Sequence, residues 1–256
     1  MSTTALLEVS GLQMRFGGLL AVDGVEFAVA RNEIFAIIGP NGAGKTTVFN
    51  CVGGFYRPTA GSVVLDGHAI TGLPSHRVAH HGIVRTFQNI RLFKQLTVVE
   101  NLLVAQHRQV KTNLLHGLLA TPSYRRAERE ALERAAQWLD RMGLSDVANR
   151  EAGTLSYGHQ RRLEIARCMI TGPRLLMLDE PAAGLNPQEK IELQQLIDRL
   201  RHEFGIAVLL IEHDMSLVMG VSDRILVMEH GRPIVTGKPE EVRNDPRVIK
   251  AYLGED

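Results

Sequence analysis

The sequence predicts an α/β protein built on a mostly parallel sheet, with a helical segment inserted midway along the chain. Continuous apolar runs at Ile34–Ile38, Leu175–Leu178 and Ala207–Ile211 read as parallel strands buried on both faces. A helix-period stretch from Pro187 to Phe204 separates the last two runs, which is the alternation of a βαβ unit. Between about Thr97 and Met142 the strand signals vanish and helical spacing takes over.

Each element follows in order. Leu6 to Leu12 and Val25 to Val29 alternate like half-buried strands ahead of the Ile34–Ile38 run. Lys45 to Val52 reads as a helix closed by Gly53-Gly54, and Ser62 to Leu65 as a strand entering an Asp66-Gly67 hairpin turn. In the helical block Val98, Leu102 and Ala105 share one face, and Leu132, Ala135, Ala136, Leu139 and Met142 another. The tract Lys111 to Ser123, with Gly117 and Pro122 and no clean period, reads as a connection within that block. The Pro187–Phe204 helix carries Ile191, Leu196, Leu200 and Phe204 as its apolar positions.

Composition narrows the function. The 256 residues suffice for one large domain or two closely packed ones, and no repeat or low-complexity tract suggests a solenoid or a linker. With 29 Lys and Arg against 28 Asp and Glu, the chain lacks the basic excess of a general nucleic-acid binder. No apolar run approaches the roughly 20 residues of a membrane-spanning helix. The first residues, Met1 to Thr4, do not begin a secretory signal, so a cytoplasmic location is expected. Cys51 and Cys168 belong to no metal-ligand spacing and read as buried packing residues, and the histidines outside the motifs, His80 and His81 among them, as solvated surface.

The strongest local signal is Gly39-Pro40-Asn41-Gly42-Ala43-Gly44-Lys45-Thr46-Thr47, which fits the phosphate-loop pattern and lies between a buried strand and a helix, as that pattern requires. Its glycines let backbone N–H groups turn toward phosphate oxygens, the helix N-terminus adds positive charge, Lys45 reaches the outer phosphates, and Thr46 is placed to bind magnesium. A second signal is Leu175-Leu176-Met177-Leu178-Asp179-Glu180, an apolar strand ending in two acids before Pro181. Ligands of parallel sheets bind beyond the carboxyl ends of strands, so Asp179 is placed to hold magnesium and Glu180 to polarise the attacking water.

Between these motifs lies Leu155-Ser156-Tyr157-Gly158-His159-Gln160, which resembles the LSGGQ element of ATP-binding cassette (ABC) ATPases. The resemblance runs from about Leu6 to Leu253 and implies a P-loop fold with an antiparallel β subdomain and an inserted helical subdomain. It divides the chain into a nucleotide-binding core with β subdomain at 1–88 and 171–240, a helical subdomain at 89–170, and a C-terminal helical tail at 241–256. By the same resemblance Phe16 stacks on adenine, Gln88 is the loop glutamine that senses magnesium and the transport partner, and His213 is the switch histidine. Ala183-Gly184-Leu185-Asn186-Pro187 sits where the family crosses its dimer interface. Stretches such as Arg85-Thr86-Phe87-Gln88-Asn89-Ile90-Arg91-Leu92-Phe93 and Ala251-Tyr252-Leu253-Gly254 are similar to the ATP-binding subunits of branched-chain amino acid importers. Importers of amides or urea and the lipopolysaccharide-export ATPase are related neighbours, and a soluble ABC ATPase acting on nucleic acid is the rival class.

What the resemblance implies is a magnesium-dependent ATPase whose site is completed across a dimer. One chain supplies Phe16, the Lys45 loop, Asp179, Glu180, His213 and Gln88, and a second cassette, a paralogue or an identical copy, supplies the equivalents of Ser156, Gly158, His159 and Asn186. Membrane permease subunits would dock near Leu92, Phe93 and Leu96, with a periplasmic binding protein acting through them. Three positions depart from the family pattern. Tyr157 replaces a glycine, His159 replaces the glutamine that closes a capping box, and Asn186 stands where many members have aspartate. That a histidine at 159 makes nucleotide binding pH sensitive is a hypothesis, which superimposable ATPase pH profiles of the native chain and His159→Gln would remove.

Overall fold

The computed structural model describes residues 5–106 and 122–253. The expected connection from Lys111 onward therefore lies outside the described residues as far as Thr121, as do Met1 to Thr4 and the last three residues of the expected tail. The chain forms two units: one runs to Gln88 and resumes at Arg174, and the other spans Asn89–Pro173.

The strands of the first unit are β1 (Ala5–Phe16), β2 (Leu19–Ala30), β3 (Ile34–Ile38), β4 (Ala60–Leu65), β5 (His68–Ala69), β6 (Ile83–Arg85), β7 (Leu175–Asp179), β8 (Ala207–Ile211), β9 (Arg224–Glu229) and β10 (Arg232–Gly237). They make two sheets. An antiparallel sheet has the order β2-β1-β4-β5, and a six-stranded sheet the order β10-β9-β3-β8-β7-β6. In the second, β10 pairs antiparallel with β9 and the remaining neighbours run parallel. β3, β7 and β8 are buried at every residue, which is why their sequences are continuous apolar runs instead of alternating ones. β1 and β2 extend beyond their alternating stretches because register shifts break the period, as where Gly11 takes φ 55°.

The helices of this unit are α1 (Lys45–Val52), α2 (Ser75–His81), α6 (Pro187–Phe204), α7 (Met215–Val221), α8 (Pro239–Asn244) and α9 (Pro246–Leu253). α1 ends at Gly53, and α6 starts with a capping box between Asn186 and Glu189 and ends at a left-handed Gly205. Leu193, Leu196, Ile197 and Leu200 form the buried face of α6, whereas Ile191 is exposed, because it sits on the opposite side of the first turns. Phe35 and Phe49 are fully enclosed, and a buried side chain of that size contributes about 1.5–3 kcal/mol. Phe35 also stacks on Phe27 at 5.2 Å. His80 is exposed, but His81 is half-buried with its ring 5.7 Å from that of His68, which corrects its reading as plain solvated surface. Cys51 and Cys168 are both buried thiols.

The second unit contains α3 (Val98–Ala105), α4 (Pro122–Arg141) and α5 (Tyr157–Met169). A capping box between Thr97 and Glu100 starts α3, and the buried Asn101 amide donates to the carbonyls of Phe93 and Thr97 at 3.0 Å each. Gln106 ties α3 to α4 through the Ala131 carbonyl at 3.0 Å and the Arg134 guanidinium at 2.8 Å. Two expectations change here. Pro122 and Ser123 open a helix, since proline at the first helical position has no amide to waste. The buried stripe of α4 is Ala131, Ala135 and Leu139, while Leu132 and Ala136 face outward, because the small alanines allow the close approach. Among the described residues no helix is long and apolar enough to cross a membrane.

Candidate active site

The loop between β3 and α1 is shaped by what its glycines must avoid. Gly39 has φ 147°, and a Cβ there would lie 2.1 Å from the Met228 carbonyl oxygen. Gly44, at φ 94°, would place a Cβ 2.7 Å from the Ala21 carbonyl oxygen. The loop is thus pressed against β9 and β2, where only glycine fits. α1 begins at Gly44 with no side-chain cap and no acidic residue in its first turn, so its first amides and its dipole are left for an anion. Lys45 Nζ donates to the carbonyls of Gly39 and Pro40 at 2.7 and 2.8 Å, which holds the ammonium over the loop. Burial lowers the Lys45 pKa and the nearby Glu180 charge works against that.

A cleft of about 390 Å³ opens at this loop. Asn41, Gly42, Ala43, Gly44, Lys45, Thr46 and Thr47 line it together with Glu180 and His213. His230 lines it too, although the sequence marked it only as surface; it sits in the two-residue turn between β9 and β10 at φ 46°. Gly39 and Pro40 are not among the lining residues and act on the loop through the carbonyls that hold Lys45. Phe16 is not part of this lining: it ends β1, 42% exposed, with its ring edge-on to Tyr56 at 5.4 Å.

The acidic end of β7 carries the rest. Asp179 is 5% exposed and pairs with Ile211 across the β7–β8 register. Its Oδ2 accepts from Arg85 Nη2 at 2.6 Å, and its amide donates to Thr86 Oγ1 at 3.4 Å. Arg85 also donates to Asn50 Oδ1 at 2.6 Å and lies over the rings of Phe49, Phe55 and Phe87 at 5.4–5.5 Å. Sequence reasoning gave Arg85 no role; the structure places it at the end of the three-residue strand β6.

Glu180 takes a left-handed φ of 47°, a conformation that costs a non-glycine residue about 1–2 kcal/mol and concentrates at functional sites. Its carboxylate is held from two sides. Oε1 accepts from His213 Nε2 at 2.7 Å and Oε2 from Gln88 Nε2 at 2.8 Å. The three residues expected to share catalysis therefore meet at one carboxylate.

Ser156, Gly158 and His159 belong to the second unit. Ser156 caps α5 by accepting the His159 amide at 3.3 Å, and among the described residues the reciprocal side-chain bond is not made. Tyr157 accepts at its hydroxyl from the buried Arg161 at 3.3 Å, and Arg161 pairs with Glu164 at 2.8 Å, so the departure from glycine is built into the helix. Asn186 is the α6 cap, its Oδ1 accepting the Glu189 amide at 2.9 Å, a task that needs no charge.

The Thr46 hydroxyl, the Asp179 carboxylate and the Gln88 amide are hard oxygen donors of the kind magnesium takes. Among the described residues no three His, Cys, Asp or Glu side chains form a cage of their own. That donor set fits an ion shared with substrate phosphates.

A phosphate loop, an acidic strand end and a histidine bridging to the second acid define a nucleotide-hydrolysing class. The ABC transporter family model matches residues 22–183, and the chain belongs to that family, hydrolysing ATP in a cycle coupled to transport. The model of the branched-chain amino acid ATP-binding cassette transporters matches residues 232–256. The chain is 64% identical over 250 residues, 98% of each chain, to the high-affinity branched-chain amino acid transport ATP-binding protein BraF of Pseudomonas aeruginosa. It is 62% identical, with the same coverage, to LivG of Escherichia coli, which carries the same description. A crystal structure of an ATP-binding cassette of an ABC transporter in its ADP conformation superposes with a TM-score of 0.86 at 34% identity, covering 99% of this chain and 100% of that one.

Proposed function

We propose that this chain powers the uptake of branched-chain amino acids, namely leucine, isoleucine and valine, by hydrolysing ATP with magnesium for separate membrane permease subunits. The observation that carries the catalytic part is the Glu180 carboxylate, held between His213 and Gln88 beside the Lys45 loop. The identity to BraF and LivG supports the transported class.

In this reading the Asn41–Thr47 amides and Lys45 bind the phosphates, and Phe16 supports the adenine. Glu180 accepts the proton of the attacking water, while His213 orients both that carboxylate and the terminal phosphate. Thr46, Asp179 and Gln88 would hold magnesium, which would supply positive charge to offset that developing on the phosphate oxygens. The Asn89–Pro173 unit presents Ser156, Gly158 and His159 to the nucleotide of a second cassette, a paralogue or an identical copy, with Asn186 at the same interface. Leu92, Phe93 and Leu96 offer apolar contacts to the permease, and Phe93 is 48% exposed. The assembly sits at the cytoplasmic face of the membrane, with a periplasmic binding protein acting through the permease and no part for nucleic acid.

Co-purification of the chain with its permease and partner cassette, followed by ATPase assays with a leucine-loaded binding protein, tests this. Stimulation by leucine, isoleucine and valine is expected. Stimulation by amides or urea instead would move the transported class and leave the ATPase assignment standing.

A further inference from the structure

Glu212 lies between Ile211 and His213, is 3% exposed, and has no part in the mechanism above. Its Oε1 accepts the amide of Ala182 at 2.6 Å, and its Oε2 accepts the amides of His213 and Asp214 at 2.9 and 3.2 Å. A single buried carboxylate thus holds the loop that leaves Glu180 and the loop that carries His213. A second tie reinforces the first: Lys190 of α6 donates to Asp214 Oδ2 at 2.6 Å, and Asp214 Oδ1 caps α7 at the Leu217 amide, 3.1 Å away. Burying a carboxylate is favourable only when its oxygens are fully hydrogen-bonded, and three amides do that here.

We infer that Glu212 is a positioning residue that fixes the spacing between Glu180 and His213 by bonding the backbone of both their loops. The inference rests on the proposed roles of those two residues. The β7–β8 register brings the two strand ends together as far as Asp179 and Ile211, and the chain leaves β7 through a left-handed Glu180. The Glu180 amide donates to the Ile211 carbonyl at 2.9 Å, and Glu212 carries the backbone tie one step further, to Ala182 on one side and to His213 and Asp214 on the other. Near-attack geometry is sensitive to displacements of about 1 Å, which can cost on the order of 100-fold in rate.

The test is Glu212→Gln in the full chain. Gln keeps the shape, but its amide nitrogen must face either Ala182 or the pair His213 and Asp214, donor against donor. Turnover is expected to fall by about 10- to 100-fold with ATP affinity changed less than about threefold. Hydrogen exchange should quicken at the amides of Ala182, His213 and Asp214 and stay unchanged at the helical amides of α6. Adding Glu212→Gln to His213→Ala should remove nothing further, whereas a merely structural role would multiply the two losses. Turnover of Glu212→Gln within about twofold of native overturns the inference. Where that variant fails to fold, Glu212→Asp, which keeps the charge but withdraws it by one methylene, must show the same loss of turnover. Full turnover in His213→Ala overturns the reading of His213 itself, while an inactive His213→Ala beside an active Glu212→Gln overturns the positioning role alone.

Discussion

Arg85 donates to Asp179 across 2.6 Å with the two side chains 8% and 7% exposed, so the last residue of β6 and the last of β7 share an enclosed ion pair. The aromatic rings around the guanidinium and the Asn50 amide keep it from drifting. Removing one partner of such a pair leaves the other charge buried and unpaired. Arg85→Ala is expected to destabilise the chain by about 3–5 kcal/mol, read by urea denaturation. An effect below about 1 kcal/mol would mean that the pair behaves as a surface one.

Glu180→Gln keeps the shape and one of the two acceptor oxygens but cannot take a proton. It should bind ATP as the native chain does, promote association of cassettes, and lose at least about 100-fold in turnover. Lys45→Ala should instead lose nucleotide affinity. Phosphate release and nucleotide binding measured side by side separate the two, and undiminished hydrolysis by Glu180→Gln would remove the base assignment.

The Lys190–Asp214 bond gives a pH signature. The hydrogen bond from Lys190 holds the Asp214 carboxyl below its ordinary 3.8, and the same bond raises Lys190 above 10.5. A depressed carboxyl adds stability above its unfolded value that disappears as pH falls through the folded one. A raised ammonium adds stability below its unfolded value that disappears as pH rises through the folded one. The unfolding temperature of Lys190→Met should therefore lie below the native one by a constant margin from about pH 5 to 9, and the margin should close toward both extremes. A margin independent of pH would assign the loss to packing.

His159→Gln supplies the side chain that a capping box needs opposite Ser156. A gain of roughly 0.5 kcal/mol in stability is expected, measured by thermal unfolding. No gain would place the α5 cap outside the reach of residue 159.

How far the sequence carries the fold differs by element, for physical reasons. The helix period places α6 at about Pro187 to Phe204 and the unbroken apolar run places β8 at Ala207–Ile211, and the structure agrees with both, with Asn186 and Gly205 as the caps of α6. Leu132, expected on the buried face of α4, is exposed while Ala131 is buried, because burial there depends on which neighbour comes close, which hydropathy does not encode. In the site, Lys45, Glu180 and His213 stand out one at a time in the sequence, but their convergence on one cleft depends on a parallel register. Arg85 and Glu212 stand beside motif residues in the sequence, but no role of their own is legible there. Their partners lie 94 and 30 residues away, and a charged residue at a strand end looks like any strand leaving for solvent until the fold is closed over it.

The chain has just two cysteines, and burial pushes the Cys51 thiol up to about 11 and the Cys168 thiol up to about 12. At neutral pH both are almost wholly protonated, hence poor nucleophiles. Maleimides and spin-label thiosulfonates should pass them by. A reporter cysteine placed on an exposed position away from the site, such as Leu132 on α4 or Ile191 on α6, can then be tagged in the native background, and the distances between tags followed through a turnover cycle without first stripping the chain of its own sulfur.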